Sequence, residues 1–297
     1  MPRPHLALLL ALAASVGISA LSDRIDAYVL DVAMGVGINI ILAVSLNLVN
    51  GHTGQFSLGH AGFMAVGAYL SSAVTVFLGP RLLGAEGGGP WGQGGLFAGA
   101  LIIGGLCAAF AGLLIGLPSL RLKGDYLALV TLGFGEIIRV LAISDWLSPV
   151  IGGAQGVLYI PKPSIFGVIN FSDPRLLYYI ILAGCGLVLY VIWRLNNSRM
   201  GRQWMAIRED EDVAEAMGIN LVKTKVLAFT LSAAAGGLAG GIFAAKLGTV
   251  FPQSFSVFVS INVLAVIIVG GMGSIPGIIV GAIVLIGLPE VLREFNE

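Results

Sequence analysis

The chain has 297 residues, of which 57% are hydrophobic and only 11% charged, with a mean hydropathy of +0.95. Soluble domains carry roughly 25% charged residues, so this composition excludes an ordinary soluble globular protein and predicts an integral membrane protein. Its 16 basic and 16 acidic residues cancel, which leaves no electrostatic case for a nucleic-acid partner.

A helix needs roughly 20 apolar residues to cross the hydrocarbon of a bilayer. Runs of that order lie near 6–20, 28–49, 59–78, 96–117, 125–143, 176–194, 226–247, 257–272 and 276–290. They lack the alternation of barrel strands, which predicts an all-α polytopic bundle of about eight or nine helices in a single transmembrane domain spanning 1–297. The first run follows Arg3 and ends near Ile18-Ser19-Ala20, so it reads either as a first helix or as a signal peptide. The last two runs, divided by Gly273-Ser274-Ile275-Pro276, read as one broken helix or as two.

Between the second and third runs, Asn47 to Gly62 (NLVNGHTGQFSLGHAG) mixes glycines with uncharged hydrogen-bonding side chains. Glycines let a helix unwind, and polar side chains can satisfy the amides and carbonyls the break frees. Irregular backbone survives at membrane depth where it is buried or lines a cavity. Asn47, Gln55, Ser57 and His60 are therefore candidates to border a substrate path, with a helix starting near Ser57 offering its positive end to a carboxylate. The plainer reading is a turn in which Ser57 caps the next helix. Glu136 is costly to place in lipid and is the remaining path candidate; Arg139, one turn on, can neutralise it.

The two cysteines, Cys107 and Cys185, lie inside apolar runs and form no disulfide framework. Three scattered histidines are too few for a metal site. Small residues four apart (Gly112/Gly116, Gly236/Gly240, Gly237/Gly241, Gly277/Gly281) predict close helix packing. A second glycine-rich interruption runs from Gly270 to Gly277, but it does not align convincingly with the first, so a repeat is weakly supported.

One polar island interrupts the apolar chain from Asn196 to Lys225. Its Arg199, Arg202, Arg208, Lys223 and Lys225, with Arg121 and Lys123 in an earlier link, place both stretches on the cytoplasmic side; 79–95 and 144–175 then face outward. Within the island, Gln203 to Met217 reads as one short helix with Trp204, Ile207, Val213, Ala214 and Met217 as its apolar members, ended by Gly218. Such a helix fits a groove in another protein, or else rests on its own bundle or on the lipid surface.

There is no G-x-x-x-x-G-K-[ST] phosphate loop, no H-E-x-x-H and no G-x-S-x-G, and the apolar runs hold few ionisable groups. A membrane enzyme lacks its catalytic cluster, and an ion-coupled secondary transporter would have Glu136 alone as a coupling carboxylate. Transport or scaffolding is left.

Four segments resemble the permease subunits of branched-chain amino-acid ABC importers, of the LivM type: 45–70, 117–140, 201–241 and 269–292. The resemblance implies a non-catalytic inner-membrane subunit beside a LivH-type subunit, two cytoplasmic ATPases and a periplasmic solute-binding protein. It implies no cofactor on this chain, with ATP-Mg on the partners, and cargo that is a branched-chain or related amino acid, urea or a short amide. It also implies that Ala214-Glu215-Ala216-Met217-Gly218 is the coupling helix, with Arg208, Glu209 and Asp210 at the same contact. Members of that family commonly continue beyond a segment like Leu288-Pro289-Glu290 with a further apolar run, whereas this chain stops at Glu297.

Overall fold

The computed structural model describes residues 27–83, 92–119, 124–162, 164–165, 169–170 and 173–294. The predicted first run, and with it the choice between signal peptide and helix, lies outside the described residues, as does the basic link 120–123.

Six described helices are long and apolar enough to cross a membrane, and two shorter apolar ones follow. The chain is a membrane protein with an all-α bundle. In order the elements are α1 (Ala27–Asn47), α2 (His60–Ala73), α3 (Gly92–Ser119), α4 (Asp125–Ile143), short α5 (Ser148–Ile151), α6 (Pro174–Asn196), α7 (Arg199–Glu209), α8 (Glu211–Ala216), α9 (Leu221–Leu247), α10 (Val257–Gly270) and α11 (Ile275–Ala282). A two-residue ribbon pairs Ser164–Ile165 with Ile169–Asn170. The last two apolar runs are two helices: Gly270 and Gly277 approach so closely that a Cβ on either would overlap the other's backbone.

At the centre α9 packs against α2 and α3, and α1 lies beside them. The predicted small-residue spacing explains the fit. Gly67 of α2 meets Gly237 of α9 backbone to backbone, with Gly104 of α3 against Gly67 and Ala233 of α9 filling the space at Gly112. In lipid, where burying apolar surface brings little gain, this close van der Waals contact is what holds helices together. Large apolar side chains such as Leu106, Phe110, Leu129 and Ile137 cover the outer faces of α3 and α4.

The helices alternate between two ends. At one, Gly51 at the end of α1, Asn196 at the end of α6, Arg208 of α7 and Gly273 between α10 and α11 are bonded into one knot. At the other, Tyr28 meets Glu290 at 2.9 Å, Lys246 pairs with Asp31 at 3.1 Å, and Val157 bridges Val250. With 14 residues, α10 rises only ~21 Å, short of the ~30 Å hydrocarbon. The 3₁₀ turn Pro252–Phe255 makes up the difference, with Phe255 buried against Tyr69 and Phe243.

Candidate functional site

The polar run after α1 is not helical in the ordinary sense. The helix passes into a wider π turn, Leu48–His52, whose five residues are all buried, then runs without regular structure to His60. Such turns leave backbone groups unpaired, and side chains from several helices take them up. Thr53 Oγ1 donates to Val49 O at 2.7 Å, and Asn50 Oδ1 accepts from Ser57 N at 3.2 Å. From elsewhere in the bundle, Thr131 Oγ1 accepts from Leu58 N and Ser260 Oγ from Ala61 N, each at 3.0 Å. The expected cap is therefore corrected: α2 starts at His60 with Gly59 before it and no side-chain cap, so Ser57 does not cap it. Ser260 of α10 satisfies that helix end instead.

Each sequence candidate can now be placed. Asn47 is fully buried, and its Oδ1 accepts from Gly273 N at 2.8 Å, which pins the first glycine break to the second. Ser45 Oγ donates to Leu42 O at 2.8 Å, so it accepts from the Nε2–H of buried His60 at 2.7 Å. Ser232 of α9 donates to Ser45 O at 2.6 Å. Ser57, His60 and Ser232, with Val49, Phe63 and Phe229, line a crevice with no room for a water molecule. Gln55 is buried, and its Oε1 has no hydrogen-bond partner among the described residues. Glu136 stands apart: it bonds Arg139 at 2.8 Å through both Nε and Nη2, with each side chain about one-third exposed. The structure thus brings Asn47, Gln55, Ser57 and His60 to one break and leaves Glu136 out.

The polar island folds into two helices rather than the one expected. Asp210 is the reason: it leaves helical geometry (φ −159°, ψ 117°) and its carboxylate accepts from Asp212 N and Val213 N, ending α7 and capping α8. Gly218 ends α8 as expected, at φ +86°, with Ile219 N reaching back to Ala214 O at 3.1 Å. Trp204, Ile207 and Ala214 are buried on the island's inner face, and Trp204 Nε1 donates to Thr224 O at 2.9 Å. Lys225, buried at the foot of α9, bonds Glu211 Oε1 at 2.6 Å. Only part of the apolar stripe therefore faces outward: Val213 and Met217, one turn apart on α8, beside exposed Glu215, Ala216 and Gly218. Glu209 is exposed as well. Arg208 turns the other way. Its Nη1 donates to Gly51 O at 2.6 Å, and its stem lies over Gly54.

Sequence reasoning missed Asn50, His52 and Asn196 as parts of the break, Ser45 as the partner of His60, and Ser232 as the donor to Ser45 O. The first two lie within the polar run and were legible as composition. A lone serine in an apolar helix carries no signal of what it will meet.

The profile described as "Branched-chain amino acid transport system / permease component" matches residues 28–296. The chain belongs to that family. It is 41% identical to the high-affinity branched-chain amino acid transport permease protein LivM of Escherichia coli K12 over 290 residues, 90% of this chain and 64% of that protein. It is 26% identical to the LivH permease of the same organism, over 86% of this chain and 81% of that one. To the autoinducer 2 import permease LsrC of Klebsiella pneumoniae it is 30% identical, over 65% and 54%. The chain thus spans a little under two thirds of the length of the LivM protein it matches. No solved structure matches it.

Proposed function

We propose that this chain is the membrane-spanning permease subunit of an ATP-driven importer in the inner membrane, and that it passes branched-chain amino acids to the cytoplasm. In this reading it pairs with a LivH-type subunit and receives cargo from a periplasmic binding protein. Two ATPases, which carry the ATP-Mg, dock on α8 through Val213, Glu215, Ala216, Met217 and Gly218. Glu209 and Asp210 stand at the edge of that contact. The chain itself performs no covalent chemistry and holds no cofactor.

The observation that carries this reading is the hydrogen bond from Arg208 to Gly51 O, which ties the lever to the break in α1. A transporter whose motor lies on separate subunits needs such a connection. Tilting α7 and α8 moves Arg208, and with it the π turn that closes the bundle at this end. Asn47 then carries the motion to the tip between α10 and α11. The family profile and the LivM relative support the cargo class. The LsrC likeness shows that related permeases are named for other cargo, so selection among solutes is assigned to the binding protein.

The test is reconstitution of the complete complex in proteoliposomes with radiolabelled leucine. Uptake should require ATP inside the compartment that faces the ATPases and persist when ion gradients are collapsed. Uptake that survives without ATP and stops with the gradient would overturn the reading in favour of a secondary transporter.

A further inference from the structure

Among the described residues, five buried side-chain polar atoms find no hydrogen-bond partner in the chain: Asn47 Nδ2, Asn50 Nδ2, Gln55 Oε1, Asn196 Oδ1 and Tyr69 Oη. The first four belong to side chains at the break after α1: Asn47, Asn50 and Gln55 lie in it, and Asn196 is hydrogen-bonded to its His52. Its bonds also fix which end of each asparagine is free. Gly273 N can only donate, so Asn47 meets it with its carbonyl oxygen and its NH₂ is left over. Ser57 N likewise claims Asn50 Oδ1, leaving that NH₂ as a second free donor. Asn47 O can only accept, so His52 carries its proton on Nδ1 and presents Nε2 as an acceptor. Asn196 therefore turns its Nδ2 to His52, and its carbonyl oxygen is free.

The result is two free amide donors, one at the end of α1 and one on the π turn, and two free carbonyl acceptors, on residues 47, 50, 55 and 196. Asn47, Asn50 and Asn196 each use one end of the amide to hold the break, but a buried polar end left unpaired costs about 1–3 kcal/mol, so four such ends at one break point to a polar guest that meets them. Neither set carries charge. We propose that these four amides form a transit site for the head group of an α-amino acid. The Asn47 and Asn50 NH₂ groups meet the carboxylate, and the Gln55 and Asn196 carbonyls meet the ammonium. Neutral dipoles suit a site a zwitterion must leave as readily as it enters, because fixed charges would hold one end too tightly. Glu136 has no part in it. The inference rests on the import reading above and adds to it the chemistry that recognises the cargo and two residues, Asn50 and Asn196, that the reading does not use.

The experiment uses the complete complex in proteoliposomes and radiolabelled leucine. Asn50→Asp keeps the oxygen that Ser57 needs but turns the free donor into an anionic acceptor facing the cargo carboxylate. Gln55→Met removes the free acceptor at nearly equal length. Leucine uptake should fall about tenfold or more in Asn50→Asp, because like charges are brought together. It should fall several-fold in Gln55→Met, while binding-protein-stimulated ATP hydrolysis stays within about twofold of the parent in both. Gln55→Met should melt at the parent's temperature or above it. Parental uptake in both variants would mean that the amides hold water alone, and would overturn the transit site while leaving the importer standing. Loss of uptake in Gln55→Met together with a lowered melting temperature would assign that side chain a structural role, and would equally overturn the proposal. If the parent complex shows no ATP-dependent uptake, the import reading itself fails, and the transit site with it.

Discussion

Between Asn47 and Gly59 the chain leaves its helix by borrowing side chains, whereas between Gly270 and Ile275 it turns almost wholly on its own backbone. In the first stretch Asn50 and Thr53 supply bonds from the break itself and Thr131 supplies one from α4, while Ser260 of α10 takes up Ala61 N just beyond it. In the second, Gly271 and Gly273 adopt φ +92° and +90°, Ser274 N returns to Gly271 O at 3.1 Å, and Ser274 caps α11. A break satisfied by side chains from several helices changes whenever those helices move. A break closed within itself moves as a rigid tip. The deformable one carries the free amides and the Arg208 bond, and Asn47 couples it to the rigid one.

That contrast is sharpest at glycine. A Cβ at Gly51 would sit 2.6 Å from Gly273 N and 2.8 Å from Asn47 Cγ, prising the two breaks apart. Gly51→Val should therefore cost about 3 kcal/mol, from overpacking and the lost Asn47 bond, and lower the melting temperature of the purified protein by several degrees. Gly271→Ala meets nothing within 4 Å and loses only its left-handed backbone preference, about 1–2 kcal/mol. Equal losses in the two variants would erase the distinction between a packed break and a self-contained one.

Arg208→Gln tests whether the deformable break is driven. It removes the fork that reaches Gly51 O and should cost about 1 kcal/mol of stability. Its larger effect is on coupling: ATP hydrolysis continues while leucine imported per ATP falls, and Arg208→Lys restores little of it. An unchanged transport-to-hydrolysis ratio would mean that the lever works through another contact. Further out on the lever, Gly218→Val carries a backbone penalty of about 1–2 kcal/mol at φ +86°, and Glu215→Lys almost none. Both should insert normally in the membrane yet fail to import; normal uptake in both contradicts docking on α8.

The difference between the two breaks also explains what could be read from the sequence. Helix positions were legible because lipid demands long apolar runs: 28–49 and 176–194 became Tyr28–His52 and Pro174–Asn196. The break after α1 was legible as glycines among polar side chains. Its partners were not, because Thr131, Ser232 and Ser260 are single hydroxyls in apolar helices, 73 to 199 residues from the groups that Thr131 and Ser260 satisfy. The 3₁₀ turn from Pro252 to Phe255 falls between the runs 226–247 and 257–272 and drew no reading of its own, since nothing local says that Phe255 is buried against Tyr69. The island's division at Asp210 came from one capping carboxylate that composition alone reads as part of a charged helix face.

Glu136 gives the smallest expected effect and the cleanest separation of mechanisms. Its carboxylate already has both contacts from Arg139, and the pair is about one-third exposed on an outer helix, where such bridges are worth about 1 kcal/mol or less. Glu136→Gln keeps the shape and removes the charge. If energy enters through the lever, ATP-dependent leucine uptake stays within about twofold of the parent, and its indifference to an imposed proton gradient is unchanged. If a proton or cation instead rides on this carboxylate, uptake collapses in the same variant and the gradient dependence goes with it. The charge at α4 and the neutral amides at the break thus make opposite claims on the driving force, and one substitution at the less committed site decides between them.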